Sequence, residues 1–169
     1  MKKLLVVVDM QVDFVFGALG TKEAQAILPA VKAEIERARA DGVEIVFTRD
    51  THEENYLQTQ EGRNLPVKHC IKGTDGWQIV EGLHNGERVF DKPVFGSEEL
   101  AEFVKDGGYE ELTLIGVCTD ICVLSNAILI KAKNPETAVA VVANACAGVT
   151  PETHQAALVA MRSCQVKIL

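Results

Sequence analysis

Six short apolar runs, most of them rich in β-branched residues, recur along this chain of 169 residues, separated by stretches of helical period or of no period. This alternation constrains the fold more than any other feature. KLLVVV, ending at Val8, is continuously apolar rather than alternating, as a strand covered on both faces must be. AQAILPAVKAEIERARADG, residues 24–42, places Ile27, Leu28, Val31, Ile35 and Ala38 on one helical stripe, with Gly42 as its stop. VEIVFT (43–48), ERVFDK (87–92), LTLIGV (112–117), TAVAVVA (137–143) and the final VKIL read as the further strands. Ser97 caps a helix running to about Lys105, TDICVLSNAILIKAK forms a helix directly after the fourth strand, and Thr150 with Pro151 opens a last one. Strand and helix alternating in this way predict a doubly wound α/β fold: a six-stranded, mostly parallel sheet with helices on both faces.

At this length the chain is expected to form one domain, 1–169. The formal net charge of −7 argues against a nucleic-acid groove or an anionic membrane surface as partner. The apolar run before Asp9 is too short for a signal-peptide core or a membrane span. The five cysteines are therefore expected to be reduced, in the cytoplasm, each serving either as core filler or as chemistry.

In doubly wound folds the active site lies beyond the carboxyl ends of the strands, where strand order reverses. That rule gathers Asp9 after strand one, Thr48, Arg49, Asp50 and His52 after strand two, and Lys92 after strand three. Cys118, Thr119, Asp120 and Cys122 join them after strand four. Each has a plainer reading: an acid capping backbone N–H groups for Asp9, a solvated loop lysine for Lys92. Cys70, Cys146 and Cys164 read as small buried hydrophobes, and His84 and His154 as surface residues. Cys122 is set apart because it falls in the first turn of a helix following a buried strand, where the helix dipole favours a thiolate. A thiolate facing an acid and a lysine is what nucleophilic attack on a carbonyl requires.

VVDMQVDF, TRDTH, HCIKGT, DKPVFGS and GVCTDICV, in this order and spacing, resemble the isochorismatase-like cysteine hydrolases, and the nicotinamidases in particular. The likeness runs from Leu5 to about Thr150, and the last motif is its most specific part. It implies a catalytic triad of Asp9, Lys92 and Cys122, and a cis peptide before Cys118. It also implies an oxyanion hole formed by the N–H groups of Cys118 and Cys122, and a strand order of 3-2-1-4-5-6. It further implies a divalent metal ion held by Asp50, His52 and His69, with Glu61 as the candidate fourth ligand. Two imidazoles and a carboxylate suit zinc first, iron or manganese otherwise.

The chain departs from nicotinamidases in two places. It reads LPVKHC before the third ligand, so Leu65 stands where those enzymes have a tryptophan that stacks on the substrate ring, while Phe14 remains as one aromatic wall. Trp77 has no counterpart, and Cys118 stands where alanine is usual, within reach of a redox role with Cys122. The resulting expectation is a metal-dependent cysteine amidohydrolase of NAD salvage, forming homo-oligomers and hydrolysing a small-molecule amide, nicotinamide to nicotinate and ammonia, through a thioester. Three alternatives remain: hydrolysis of another small amide or carbamoyl compound, a metal-free isochorismatase-type hydrolase, and a non-enzymatic metal- or redox-binding module.

Overall fold

A computed structural model describes all residues, 1–169. Its centre is a six-stranded sheet in the order 3-2-1-4-5-6. The strands are β1 (Lys3–Val8), β2 (Glu44–Asp50), β3 (Arg88–Lys92), β4 (Glu111–Val117), β5 (Ala138–Ala147) and β6 (Lys167–Ile168). Every neighbouring pair is parallel, so the sheet is wholly rather than mostly parallel.

The period of two along a strand divides the core. Leu4, Val6 and Val8 of β1 join a cluster with helices α5 (Glu98–Gly107), α6 (Leu124–Lys133) and α7 (Pro151–Ser163). Leu5 and Val7 point the other way, into a cluster with α1 (Val12–Val15), α2 (Lys22–Ala26) and α3 (Leu28–Ala40). Burial on both faces is why the run in β1 is continuously apolar. No helix is long and apolar enough to cross a membrane.

Several boundaries differ from the sequence reading: β2 runs past Thr48 to Asp50. The helix expected over 24–42 is two helices, α2 and α3, parting at Ile27. Pro29 is the reason: it lacks an N–H and would crowd the carbonyl of residue 25 in a continuous helix, but it fits the first turn of a new one. β5 runs on to Ala147 past a register shift opposite Leu114 and Gly116. The helix expected straight after β4 begins instead with a wider, π-type turn, Thr119–Val123, before α6. Within the long segment between β2 and β3, Thr59 caps a short helix, α4 (Gln60–Asn64), and Pro66 follows its end.

Gly116 is required where it stands. Its φ is +116°, and a Cβ there would lie 2.1 Å from the Val8 carbonyl oxygen. This close approach of β4 to β1 brings the segments carrying Asp9 and Cys122 side by side.

Candidate active site

Strand register places the reactive groups. Val8 pairs with Thr48 on one side and Gly116 on the other, and Asp50 pairs with Lys92. The residues that follow or end these strands therefore emerge together at the carboxyl edge. Asp9 turns inward with a φ of +47°, its N–H donating to the Thr48 carbonyl and the Thr48 hydroxyl donating to its Oδ1 at 2.6 Å.

Lys92 is at the centre. It is 1% exposed, which overturns the reading of a solvated loop lysine. Its Nζ lies 2.7 Å from Asp9 Oδ2, 3.3 Å from Cys122 Sγ and 3.5 Å from Asp50 Oδ1, and donates to the Val94 carbonyl. An ammonium removed from water persists only with such partners, and burial alone would depress its pKa. Asp9, Cys122 and Asp50 reverse that, holding the charge on Lys92.

The acid and the thiol are shifted upward. Burial pushes up the Asp9 carboxyl against the pull of Lys92, which makes it a stronger base. Burial pushes the Cys122 thiol well above its ordinary value, and Asp9 adds to this while Lys92 pulls back. The sulfur is buried at a π-type turn, where desolvation works against the thiolate that a helix dipole would favour. The geometry instead pairs a thiol with a base. The Val117–Cys118 peptide is cis.

The second cluster joins Asp50, His52, Glu61 and His69, whose ligand atoms all lie within 4.8 Å of one another. Asp50 Oδ2 is 2.9 Å from His52 Nε2 and 3.4 Å from His69 Nε2, and Glu61 Oε1 is 3.6 Å from His52 Nε2. His69 Nδ1 is 2.8 Å from the Val67 carbonyl, an acceptor only, so Nδ1 carries a proton and Nε2 is the ring nitrogen turned towards the cluster. Burial raises the Glu61 carboxyl, and the charge of Asp50 raises it further. For Asp50 burial acts in the same upward direction, but hydrogen bonds from His52 and His69 and the charge of Lys92 hold it well below the carboxylate range. Asp9 and Asp50 face one ammonium, Glu61 adds a third carboxylate nearby, and Asp9 Oδ2 and Asp50 Oδ1 are buried without a directed hydrogen-bond donor. A donor set of two imidazoles and two carboxylates with excess negative charge fits a divalent cation.

Both clusters open on one cavity of about 500 Å³. Phe14, Leu65, Phe95, Ile121 and Val149 supply its apolar lining, and Cys118, Cys122, Asp50, Glu61 and His69 also line it. The Phe14 ring lies 5.5 Å from that of His69. Trp77 is not part of the lining. Its ring stacks under the Arg49 guanidinium at 3.6 Å and its Nε1 donates to Thr51 Oγ1.

Tyr56, which the sequence does not single out, is wholly buried against both histidines, 4.6 Å from His52 and 5.0 Å from His69, and donates its hydroxyl to the Leu65 carbonyl. A tyrosine four residues after a histidine carries no mark of this in sequence. His154, read as a surface residue, is half-buried and hydrogen-bonds Thr119 Oγ1 through Nδ1 at 2.7 Å. His84 is exposed, as expected, and meets Phe47 edge-on. Cys70 and Cys146 are buried as expected, but Cys164 is exposed at the C-terminal cap of α7. Burial pushes the Cys118 thiol up to about 12, in keeping with the plainer reading of Cys118 as a small residue fitting a tight turn.

A doubly wound parallel sheet carrying an acid, a lysine and a cysteine at its switch point defines a class of cysteine hydrolases. The chain belongs to the isochorismatase domain family, whose model matches residues 3–169. It is 31% identical to a protein of Arabidopsis thaliana described as a probable inactive nicotinamidase, over 96% of this chain and 89% of that one. It is 28% identical to the nicotinamidase/pyrazinamidase of Mycobacterium tuberculosis over 99% of this chain and 98% of that enzyme. The crystal structure of the pyrazinamidase of Pyrococcus horikoshii in complex with zinc superposes with a TM-score of 0.88 at 31% identity, covering 100% of this chain and 99% of that one.

Proposed function

We propose that the chain is a metal-dependent cysteine amidohydrolase that converts nicotinamide, or a closely similar heteroaromatic carboxamide, to the carboxylate and ammonia. One observation carries the reading: buried Lys92 Nζ lies within 3.5 Å of Asp9, Cys122 and Asp50, and Cys122 lines the same cavity as three members of the four-ligand cluster, Asp50, Glu61 and His69. Names of relatives that include nicotinamidase and pyrazinamidase support the same substrate class.

In this reading Asp9 takes the proton of the Cys122 thiol as Sγ bonds to the amide carbon. The carbonyl π electrons move to oxygen, where the N–H groups of Cys118 and Cys122 hold the oxyanion. Asp9 returns the proton to the nitrogen as the carbon–nitrogen bond breaks, releasing ammonia and leaving a thioester. Asp9 then deprotonates a water that attacks the thioester, and the proton goes back to Cys122 as the carboxylic acid departs and gives its remaining proton to ammonia or solvent. Lys92 stays charged throughout, stabilising the carboxylate of Asp9 and the thiolate that forms beside it. Asp50, His52 and His69, with Glu61, would hold a divalent ion, zinc before iron or manganese, which supplies a Lewis-acidic position for orienting a ring nitrogen. Phe14 supplies the aromatic wall.

One domain over 1–169, a cytoplasmic location, a place in NAD salvage and a homo-oligomeric state complete the proposal. Hydrolysis of another small amide or carbamoyl compound stands as the second reading, favoured by Leu65 lining the cavity while Trp77 is turned away from it. Ammonia release from a panel of nicotinamide, pyrazinamide, aliphatic amides and carbamoyl compounds, with and without chelator, decides between them. The first reading requires turnover of the pyridine and pyrazine amides that chelator lowers.

A further inference from the structure

Two side chains just after Asp9 take no part in the chemistry above, yet one is bonded to the backbone of a cluster residue, Asp50, and the other to the backbone of Cys70, next to His69. Gln11 is wholly buried. Its Oε1 accepts the N–H of Asp50 at 2.8 Å, and its Nε2 donates to the carbonyls of Asp50 at 2.8 Å and Trp77 at 2.9 Å. One side-chain amide thus pairs with both backbone groups of Asp50, as a neighbouring strand would.

Asp13 does the same for the other half. Its Oδ2 accepts the N–H of Cys70, the residue after His69, at 2.8 Å, and its Oδ1 accepts the N–H of Ala18 at 3.3 Å. Cys70 has a φ of +47°, a left-handed conformation that residues with side chains seldom adopt. The carboxylate sits in a recess shaped by two glycines: a Cβ on Gly76 would lie 2.2 Å from Oδ2, and one on Gly17 2.3 Å from Oδ1. His52 bonds the same segment directly, its N–H to the Cys70 carbonyl and its carbonyl to the N–H of Lys72.

We propose that Gln11 and Asp13 are positioning residues that set the separation of the ligand-bearing segments, Asp50–His52 and His69, by holding the backbone of Asp50 and of Cys70. The inference rests on the metal reading of Asp50, His52, Glu61 and His69 proposed above. It assigns a role to the segment Asp9–Phe14 beyond supplying a base: the same short stretch that carries Asp9 spaces the ligands, so cluster and base are built in one frame. The outer partners of metal ligands alter affinity about ten- to hundred-fold when removed.

The test is zinc affinity, measured by competition with a chromophoric chelator on protein purified without affinity nickel and stripped of metal, together with the melting temperature of the stripped protein. Gln11→Ala and Asp13→Ala are expected to weaken zinc binding about ten- to hundred-fold. Asp13→Asn keeps an acceptor for the Cys70 N–H and is expected to retain most of the affinity. A merely structural role would lower the melting temperature and leave the zinc affinity of the folded protein at the parental value, which overturns the proposal. Where an alanine variant does not fold, Gln11→Met decides: it keeps the volume and removes all three hydrogen bonds, and parental affinity in it overturns the proposal. A parent that takes up no zinc refutes the metal reading, and this inference with it.

Discussion

Lys92 and Asp50 face each other across β2 and β3, with Nζ 3.5 Å from Oδ1, and the contact joins two sites that sequence treats as separate. Asp50 turns Oδ2 to the histidines and Oδ1 to the lysine, whose ammonium also meets Asp9 and Cys122. Charge added at the ligand cluster is therefore felt at the nucleophile through a single buried carboxylate.

Lys92→Ala strands two buried carboxylates. Removing one partner of a buried ionic group typically costs about 3–5 kcal/mol. The variant is expected to lose nearly all amidase activity and to show a midpoint in urea lowered accordingly, read by circular dichroism. Near-parental stability would mean that Asp9 and Asp50 take up protons at little cost and that the triad is not held as described.

Metal removal should separate function from fold. The cluster sits on the end of β2 and on the segment between β2 and β3, whereas β1, β4 and β5 form the middle and far side of the sheet. Chelation is expected to abolish most turnover of pyridine-type amides while lowering the melting temperature only slightly. Elemental analysis should find about one divalent ion per chain, and none in His52→Ala or His69→Ala. Undiminished metal in both variants would remove the site.

Thiol reactivity should follow exposure. Iodoacetamide at neutral pH is expected to modify exposed Cys164 first, with Cys70 and Cys146 protected until the chain unfolds. Cys164→Ala should leave activity intact. Rapid labelling of Cys146 in the folded protein would contradict its burial.

Stability should fall in alkali. The thiols of Cys118 and Cys146 are pushed up to about 12 by burial, from an ordinary 9.0, and that of Cys70 is also raised. Lys92 is raised above 10.5 by its acidic partners, which overcome the effect of burial. The unfolded chain sheds these protons first, at pH 9.0 for the thiols and 10.5 for the lysine, while the fold keeps them. The sign is thus negative: stability is full below pH 9 and declines as pH rises towards 12. Melting temperatures of metal-free protein at pH 7.5, about 9.5 and about 10.5 should fall in that order. A flat profile would show that the buried thiols ionise as readily in the fold as outside it.

The sheet was legible because its signal is local: each apolar run is continuous, and the strand order came with the resemblance carried by the five motifs. Asp9, Lys92 and Cys122 could be placed at one edge by topology alone, but the burial of Lys92 could not be read, since it depends on register between β2 and β3. Gln11, Asp13 and Tyr56 act over separations of 39, 57 and 9 residues and through backbone partners, which leave no pattern of side-chain types. The break at Ile27 was marked by Pro29, whose meaning was lost beneath a helical stripe that continues across it. Residue type suggests burial for Cys164, yet it lies at the C-terminal cap of α7, in the exposed turn that leads into β6.

The most direct measurement is ammonia release from nicotinamide by metal-replete parent protein alongside Asp9→Asn and Cys122→Ala, with intact-mass analysis of the quenched mixtures. The expected result is turnover in the parent, none above background in either variant, and folded spectra for all three. A mass increase on the parent matching the nicotinoyl group, absent from Cys122→Ala, would be the thioester itself. Turnover retained in Cys122→Ala, or near-parental rates in Asp9→Asn, would contradict a cysteine amidohydrolase working through this pair.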